Sequence, residues 1–132
     1  MEFPHRTRHF HRHQELPAGW IPEQAIRTMA HEVAHLLGTP EAADSICQSA
    51  LRREEEECTL VGRGLAVPHA RVKGLPHATV YTAHCPSGLP WPEDAAEVVA
   101  LLVVPEEDPD LHLTLLSTLI RAKVIDVHKE DE

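Results

Sequence analysis

The sequence is short of aromatic residues, of paired cysteines and of long apolar runs. Aromatic side chains make up 4% of the 132 residues, so aliphatic side chains must fill the core. The three cysteines, Cys47, Cys58 and Cys85, lack C-x-x-C spacing, which argues against a disulfide framework and a cysteine zinc cluster. No stretch approaches the roughly 20 apolar residues of a membrane span, and no apolar segment follows the basic N-terminus as in a secretory signal. We therefore expect a protein of the reducing cytoplasm.

Basic residues are also in the minority. Twelve lysines and arginines stand against 21 acidic residues, which gives a formal net charge of −9. A general nucleic-acid binder needs a basic face, so this balance argues against that class. An acidic surface instead suits a partner protein that is itself basic, through electrostatic steering.

Hydrophobic periodicity predicts an α/β protein with three helices. The helices are expected over residues 22–37, 40–55 and 109–123. The strands are expected over residues 65–67, 77–84 and 98–104. The last strand is a continuous aliphatic run, which indicates burial on both faces, and residues 85–94 are expected to form a turn region.

One domain over residues 1–132 is the economical interpretation of these elements, with a core over 21–123. Residues 1–14 carry alternating histidines and are expected to be either a flexible lead or an edge strand, where such histidines can bind a metal ion weakly. Residues 126–132 form a charged tail that is expected to be frayed.

The stretch V-G-R-G-L-A-V-P-H-A-R over residues 61–71 organises the chain. Gly62 and Gly64 allow backbone angles that side chains forbid. Pro68 fixes its own φ and biases the preceding residue toward an extended conformation. We expect this arrangement to hold His69 rigidly at a strand end, where α/β sheets usually place their chemistry.

A second histidine motif competes with this one. His31, Glu32 and His35 match H-E-x-x-H, in which two imidazoles one helical turn apart bind zinc and the glutamate acts as general base. The apolar stripe of the same predicted helix passes through Ile26 and Val33, so both histidines point away from the core. Two exposed helical histidines are the simpler interpretation, and a zinc hydrolase remains an alternative.

Three blocks resemble the type-2 enzyme IIA domain of the bacterial phosphoenolpyruvate-dependent sugar phosphotransferase system, in its fructose, mannitol and nitrogen-regulatory branches. L-R-R-E-E followed by T-L-V-G, within residues 51–62, is similar to the family pattern R-E-x-L-x-S-T-x-x-G. G-L-A-V-P-H at 64–69 is similar to G-I-A-[IV]-P-H. L-L-V-V-P-E-E-D-P at 101–109, with His112 and a leucine-rich helix, is similar to the block that carries a second active-site histidine. The resemblance covers about residues 21–123.

This resemblance implies a mixed β-sheet flanked by helices and a phosphotransferase that works through a phosphohistidine. His69 would accept the phosphoryl group from the histidine-containing phosphocarrier protein. It would then pass the group to a cysteine on a IIB domain, or the phosphorylated state would serve as a regulatory signal. His112 would support the phosphoryl group and Arg53 would hold it electrostatically, with no metal or cofactor.

Elementary chemistry agrees with this implied site. A neutral imidazole is a competent nucleophile near physiological pH. The planar donor fork of Arg53 suits phosphate, and His112 lies in a first helical turn, where backbone N–H groups favour anions. Arg63 and Arg71 add positive potential nearby. A binding module of the same fold that signals without phosphoryl transfer is the main alternative.

Overall fold

A computed structural model describes residues 3, 7–56, 59–61, 64–75, 77–92, 94–108 and 110–130, with side chains as far as residue 122. The described elements, in chain order, are β1 (Arg8–His11), α1 (Pro22–Leu36), α2 (Ala43–Glu56), β2 (Leu65–Ala66), β3 (His69–Val72), β4 (Thr79–Pro90), β5 (Ala95–Pro105) and α3 (Leu111–Glu130). A short 3₁₀ turn, Pro40–Ala42, precedes α2.

The strands form a mixed sheet in the order β1-β4-β5-β2, with β3 also paired to β5. Strand β4 runs antiparallel to β5, whereas β1 is parallel to β4 and both β2 and β3 are parallel to β5. The predicted fold class, a mixed sheet flanked by helices, is confirmed.

Strands β2 and β3 are two parts of one edge strand. Leu65 lies opposite Val98 and His69 opposite Leu102, so the two parts keep one register along β5. Pro68 interrupts them because it has no N–H to donate, although its carbonyl still accepts a hydrogen bond from the Leu102 amide at 2.9 Å. His69 therefore lies at a strand end, as we expected, and it is the first residue of β3, just after the interruption of the edge strand.

Helices cover both faces of the sheet. On one face, α1 and α2 pack Ile26, Met29 and Ile46 against the sheet. On the other face, Leu115 and Leu119 of α3 pack against a second cluster. The side chains of β5 from Val99 to Val104 are buried, so the prediction of a strand covered on both faces is confirmed. The helix α1 also agrees with its predicted range to within one residue at its end.

The predicted extent of the turn region before β5 was wrong. The segment 85–94 is not all turn, because β4 continues to Pro90 and only residues 91–94 lie between the strands. The extension carries a register irregularity between His84 and Leu89. Strand β1 pairs with β4 only up to Thr82, so the extension pairs with β5 alone, where Pro90 lies opposite Ala95, and its prolines are tolerated as at a sheet edge.

The two ends of the chain also differ from the simplest expectation. Residues Arg8–His11 form the edge strand β1, the second of the two alternatives for the N-terminus. The backbone of α3 remains helical to Glu130, beyond the predicted end at residue 123. No helix among the described residues has both the length and the apolar character of a membrane span.

Candidate functional site

A polar pocket of about 540 Å³ opens where α2, β3 and the start of α3 meet. It is lined by Ser45, Gln48, Ser49, Arg52, Arg53, Glu56, His69, Arg71, Val104, Glu106 and His112. All three predicted site residues therefore lie around one cavity. Arg53 comes from the last turn of α2, His69 from the first position of β3 and His112 from the first turn of α3.

A backbone carbonyl fixes the ring of His69. Nδ1 of His69 lies 2.6 Å from the carbonyl oxygen of Val67. A carbonyl oxygen only accepts, so we assign the ring hydrogen to Nδ1, which donates it to Val67. The lone pair of a neutral His69 ring is then on Nε2. Because Val67 immediately precedes Pro68, the strand interruption is what places this acceptor beside the ring.

The ring of His112 stacks on that of His69. The two ring centroids are 5.2 Å apart and the ring planes are inclined by 27°. Nδ1 of His112 is buried, and it has no hydrogen-bond partner among the described residues. A buried polar atom without a partner is costly, and a polar ligand in the adjoining pocket would satisfy it.

The surroundings keep His69 neutral. Burial, the largest cause, and the positive charge of Arg53 lower its pKa from the usual 6.5 to about 4. His112 and Arg71 act in the same direction, against the hydrogen bond to Val67 that raises the pKa. At neutral pH the imidazole therefore has a free lone pair, which nucleophilic attack requires.

The pocket concentrates cations in an acidic chain. Arg52, Arg53 and Arg71 all line it, whereas the net charge of the chain is −9. Three guanidinium groups provide planar forks of N–H donors that match the oxygens of phosphate or carboxylate. The arrangement can bind a small anion beside a nucleophilic nitrogen. Gly62 and Arg63, also part of the predicted central stretch, lie outside the described residues.

The sequence did not single out Ser49. It lies one turn before Arg53 on α2 and lines the same pocket. Its spacing of four residues from Arg53 was the available signal, because side chains four apart share a helix face. Arg71 was expected to add only positive potential, yet it also lines the pocket.

The H-E-x-x-H residues lie on a different part of the surface. His31 and His35 are exposed, as predicted, while Val33 between them is buried. Glu32 accepts hydrogen bonds from Arg12 Nε and Tyr81 Oη, each at 2.9 Å, and so links α1 to β4 and to the residue that follows β1. Within the described ranges, no group of three or more histidine, cysteine or acidic residues is placed to hold a metal ion. The zinc hydrolase alternative gains no support.

Fold and pocket together define a small α/β protein with two stacked histidines in an arginine-lined pocket. The family described as "Phosphoenolpyruvate-dependent sugar phosphotransferase system, EIIA 2" matches residues 22–127, and the chain belongs to this family. The resemblance seen in the sequence is confirmed. Domains of this family are components of a phosphotransferase system.

Curated relatives are larger proteins. The chain is 30% identical over 123 residues to the 2-O-alpha-mannosyl-D-glycerate-specific EIIABC component of Escherichia coli, covering 83% of the chain and 18% of the relative. It is 30% identical over 88 residues to the fructose-specific EIIA component of Haloferax volcanii, covering 64% of the chain and 57% of the relative. The chain thus spans between about a fifth and just over half of the length of these relatives.

Solved structures share the fold. IIA mannitol from Escherichia coli matches with a TM-score of 0.65 and 24% identity, covering 86% of this chain and 78% of that one. The nitrogen regulatory protein IIA-Ntr from Neisseria meningitidis matches with a TM-score of 0.64 and 22% identity, covering 86% of this chain and 73% of that one.

Proposed function

We propose that the chain is a phosphoryl carrier that is phosphorylated on Nε2 of His69. The observation that supports this most strongly is the hydrogen bond that fixes the ring of His69. Its Nδ1 donates to Val67, which leaves Nε2 with the lone pair on a ring that lines the polar pocket. Arg53 holds the phosphoryl oxygens, and His112 supports the group from the stacked ring.

The transfer needs no metal and no proton movement between the rings. The lone pair of His69 Nε2 attacks the phosphorus of a donor phosphohistidine whose other ring nitrogen is protonated. A new N–P bond forms, and the donor N–P bond breaks with its electron pair returning to the donor nitrogen. The donor ring leaves neutral, and the His69 ring becomes a phosphorylated imidazolium that is stabilised by donation from Nδ1–H to Val67. Positioning and neutralisation of charge are what such a transfer requires.

The proposed donor is the histidine-containing phosphocarrier protein, and the proposed acceptor is a cysteine on a IIB domain. The net charge of −9 suits a basic donor. One relative is the multiphosphoryl transfer protein of Vibrio cholerae, and one matching structure is the complex of enzyme IIA mannitol with phosphorylated enzyme IIB mannitol from Escherichia coli. We also propose that the chain forms one domain and acts in the cytoplasm, where its two described cysteines, both free thiols, would stay reduced.

A regulatory role is the second candidate. The transcriptional regulator ManR of Bacillus subtilis is 31% identical over 70 residues, and IIA-Ntr is titled a nitrogen regulatory protein. In that case the phosphorylated or unphosphorylated surface around His69 would bind a regulatory target protein, and the phosphoryl group would act as a signal.

Intact-protein mass spectrometry tests phosphoryl acceptance directly. The chain is incubated with phosphoenolpyruvate, enzyme I and the phosphocarrier protein, and we expect an acid-labile mass gain of about one phosphoryl group. The gain should vanish in His69→Ala and persist in His84→Ala, which alters an exposed histidine on β4. A folded His69→Ala protein that still gains the group would refute the assignment. A wild-type protein that gains none would favour the regulatory module that does not transfer phosphate.

A further inference from the structure

Arg71 projects toward the pocket from the same strand as the proposed nucleophile. Side chains along a strand alternate between faces, so His69 and Arg71, two residues apart on β3, share one face. Arg71 lines the pocket, and its charge is close enough to contribute to the lowered pKa of His69. The guanidinium of Arg71 and that of Arg53 therefore approach the cavity from different elements.

Ser49 ties this part of β3 to α2. In the described part of the sheet β3 pairs with β5 alone, and the backbone N–H of Arg71 donates to Oγ of Ser49 at 2.9 Å. The bond joins Ser49, which lies one helical turn before Arg53 on α2, to Arg71, which lies two residues after His69 on β3. Because Oγ acts as the acceptor in this bond, the hydroxyl hydrogen of Ser49 remains available to donate into the pocket.

We propose that Arg71 is a second phosphate-binding residue of this site and that Ser49 is its positioning residue. The proposal rests on the proposed function, because the anion in question is the phosphoryl group on His69. A phosphoryl group has three oxygens, and the donor fork of Arg53 engages at most two of them. The bond to Ser49 holds the backbone of Arg71 beside the pocket, and from there the fork of Arg71 binds the remaining oxygen.

Binding of inorganic phosphate to the unphosphorylated protein is the first test. The affinity is measured by NMR titration for wild type, Arg71→Gln and Lys73→Gln. Lys73 follows Arg71 by two residues and does not line the pocket, so its substitution removes the same charge from the same segment. We expect phosphate to bind about fivefold or more weakly to Arg71→Gln, and within about twofold of wild type to Lys73→Gln. Equal affinities for the two variants, or no measurable binding by wild type, would overturn the proposal.

Phosphorylation by phosphoramidate is the second test, because this small donor bypasses any effect on protein docking. We expect Arg71→Gln to react about tenfold more slowly than Lys73→Gln, and Arg71→Lys to recover part of the loss by keeping the charge without the fork. Ser49→Ala leaves Arg71 in the chain and removes only the acceptor for its backbone N–H. In the folded variant, the reaction should be slower and phosphate binding should be weaker. If Ser49→Ala matches wild type in both measurements, the positioning role is wrong.

The two proposals fail in different ways. A wild-type protein that binds phosphate through Arg71 but never becomes phosphorylated would refute phosphoryl carriage and leave Arg71 as an anion ligand. A wild-type protein that is phosphorylated on His69, with Arg71→Gln indistinguishable from Lys73→Gln in rate and affinity, would refute the role of Arg71 alone.

Discussion

At the scale of single residues, the proposed chemistry depends on one carbonyl, on burial of the ring and on one neighbouring charge. The Val67 carbonyl holds the hydrogen on Nδ1 of His69, and burial together with Arg53 keeps the ring neutral. Burial is the larger of these two causes, and together they leave Nε2 with a lone pair at every pH near neutrality. We therefore expect the ring to be ready for nucleophilic attack before a phosphoryl donor binds.

This environment predicts an unusual titration for His69. NMR of the imidazole signals should show a pKa of about 4, well below the ordinary 6.5. Arg53→Gln removes a positive charge that opposes protonation, so it should raise the pKa of His69. Arg52→Gln removes the neighbouring charge, which is not among the causes of the shift, and should change the pKa less. A wild-type His69 that titrates near 6.5 would contradict this account of the site.

At the scale of elements, the turn into β2 depends on Gly64. Its φ is +74°, in the left-handed region, and a Cβ built there would lie 3.4 Å from Cβ and the backbone nitrogen of Glu97. The Gly64 carbonyl accepts hydrogen bonds from the amides of Glu97 at 2.7 Å and Val98 at 3.0 Å, which starts the pairing of β2 with β5. A substitution that moves this turn disturbs the register that places His69.

We therefore expect Gly64→Ala to destabilise the protein by about 1–2 kcal/mol, because alanine is strained at positive φ. Urea denaturation measures the change. Gly19→Ala is the matched control, since an added Cβ there meets nothing within 4 Å and no positive φ is involved. If the two variants have the same free energy of unfolding, strain at Gly64 does not define the start of β2.

The helices and strands also show how much of the fold could be predicted from the sequence alone. The helix α1 followed from the spacing of its apolar residues, and the buried strand β5 followed from its continuous aliphatic run. The extension of β4 to Pro90 did not, since its prolines indicate a turn unless the absence of a partner strand on that side is known. The edge strand β1 was also not settled by the sequence, because its polar, histidine-rich residues form a strand through their pairing with β4.

The residues of the candidate site also differ in whether the sequence alone could identify them. His69, His112 and Arg53 were identified from short motifs, and the fold brings all three to one pocket. The bond between the Arg71 backbone and Ser49 joins residues on different elements, so only the tertiary structure shows it. The zinc alternative at His31 and His35 comes from a motif whose histidines face solvent, as the apolar stripe of that helix predicted.

At the scale of the whole molecule, the lowered pKa of His69 makes stability depend on pH. The unfolded chain binds a proton at His69 below about pH 6.5, whereas the folded protein does not until about pH 4. The contribution is fully present above pH 6.5 and is lost as the pH falls toward 4. The pocket is partly open to solvent, so we expect this loss to be on the order of 1–2 kcal/mol.

Urea denaturation at pH 7 and pH 4.5 measures this loss. His69→Gln has no titrating ring at this position, so it should lose less stability than wild type between the two pH values. His84→Gln removes an exposed histidine of β4 and should behave as wild type. A His69→Gln variant as acid-sensitive as wild type would show that His69 titrates alike in the folded and unfolded chain.

The most direct test of the central claim is to determine which ring nitrogen carries the phosphorus atom. The chain with ¹⁵N-labelled histidines is phosphorylated and its ring nitrogens are followed by heteronuclear NMR with phosphorus coupling. We expect one phosphorylated ring, His69, with phosphorus on Nε2 and hydrogen retained on Nδ1, because Nδ1 donates to Val67. Phosphorus on Nδ1 of His69, or on any other histidine, would contradict the account.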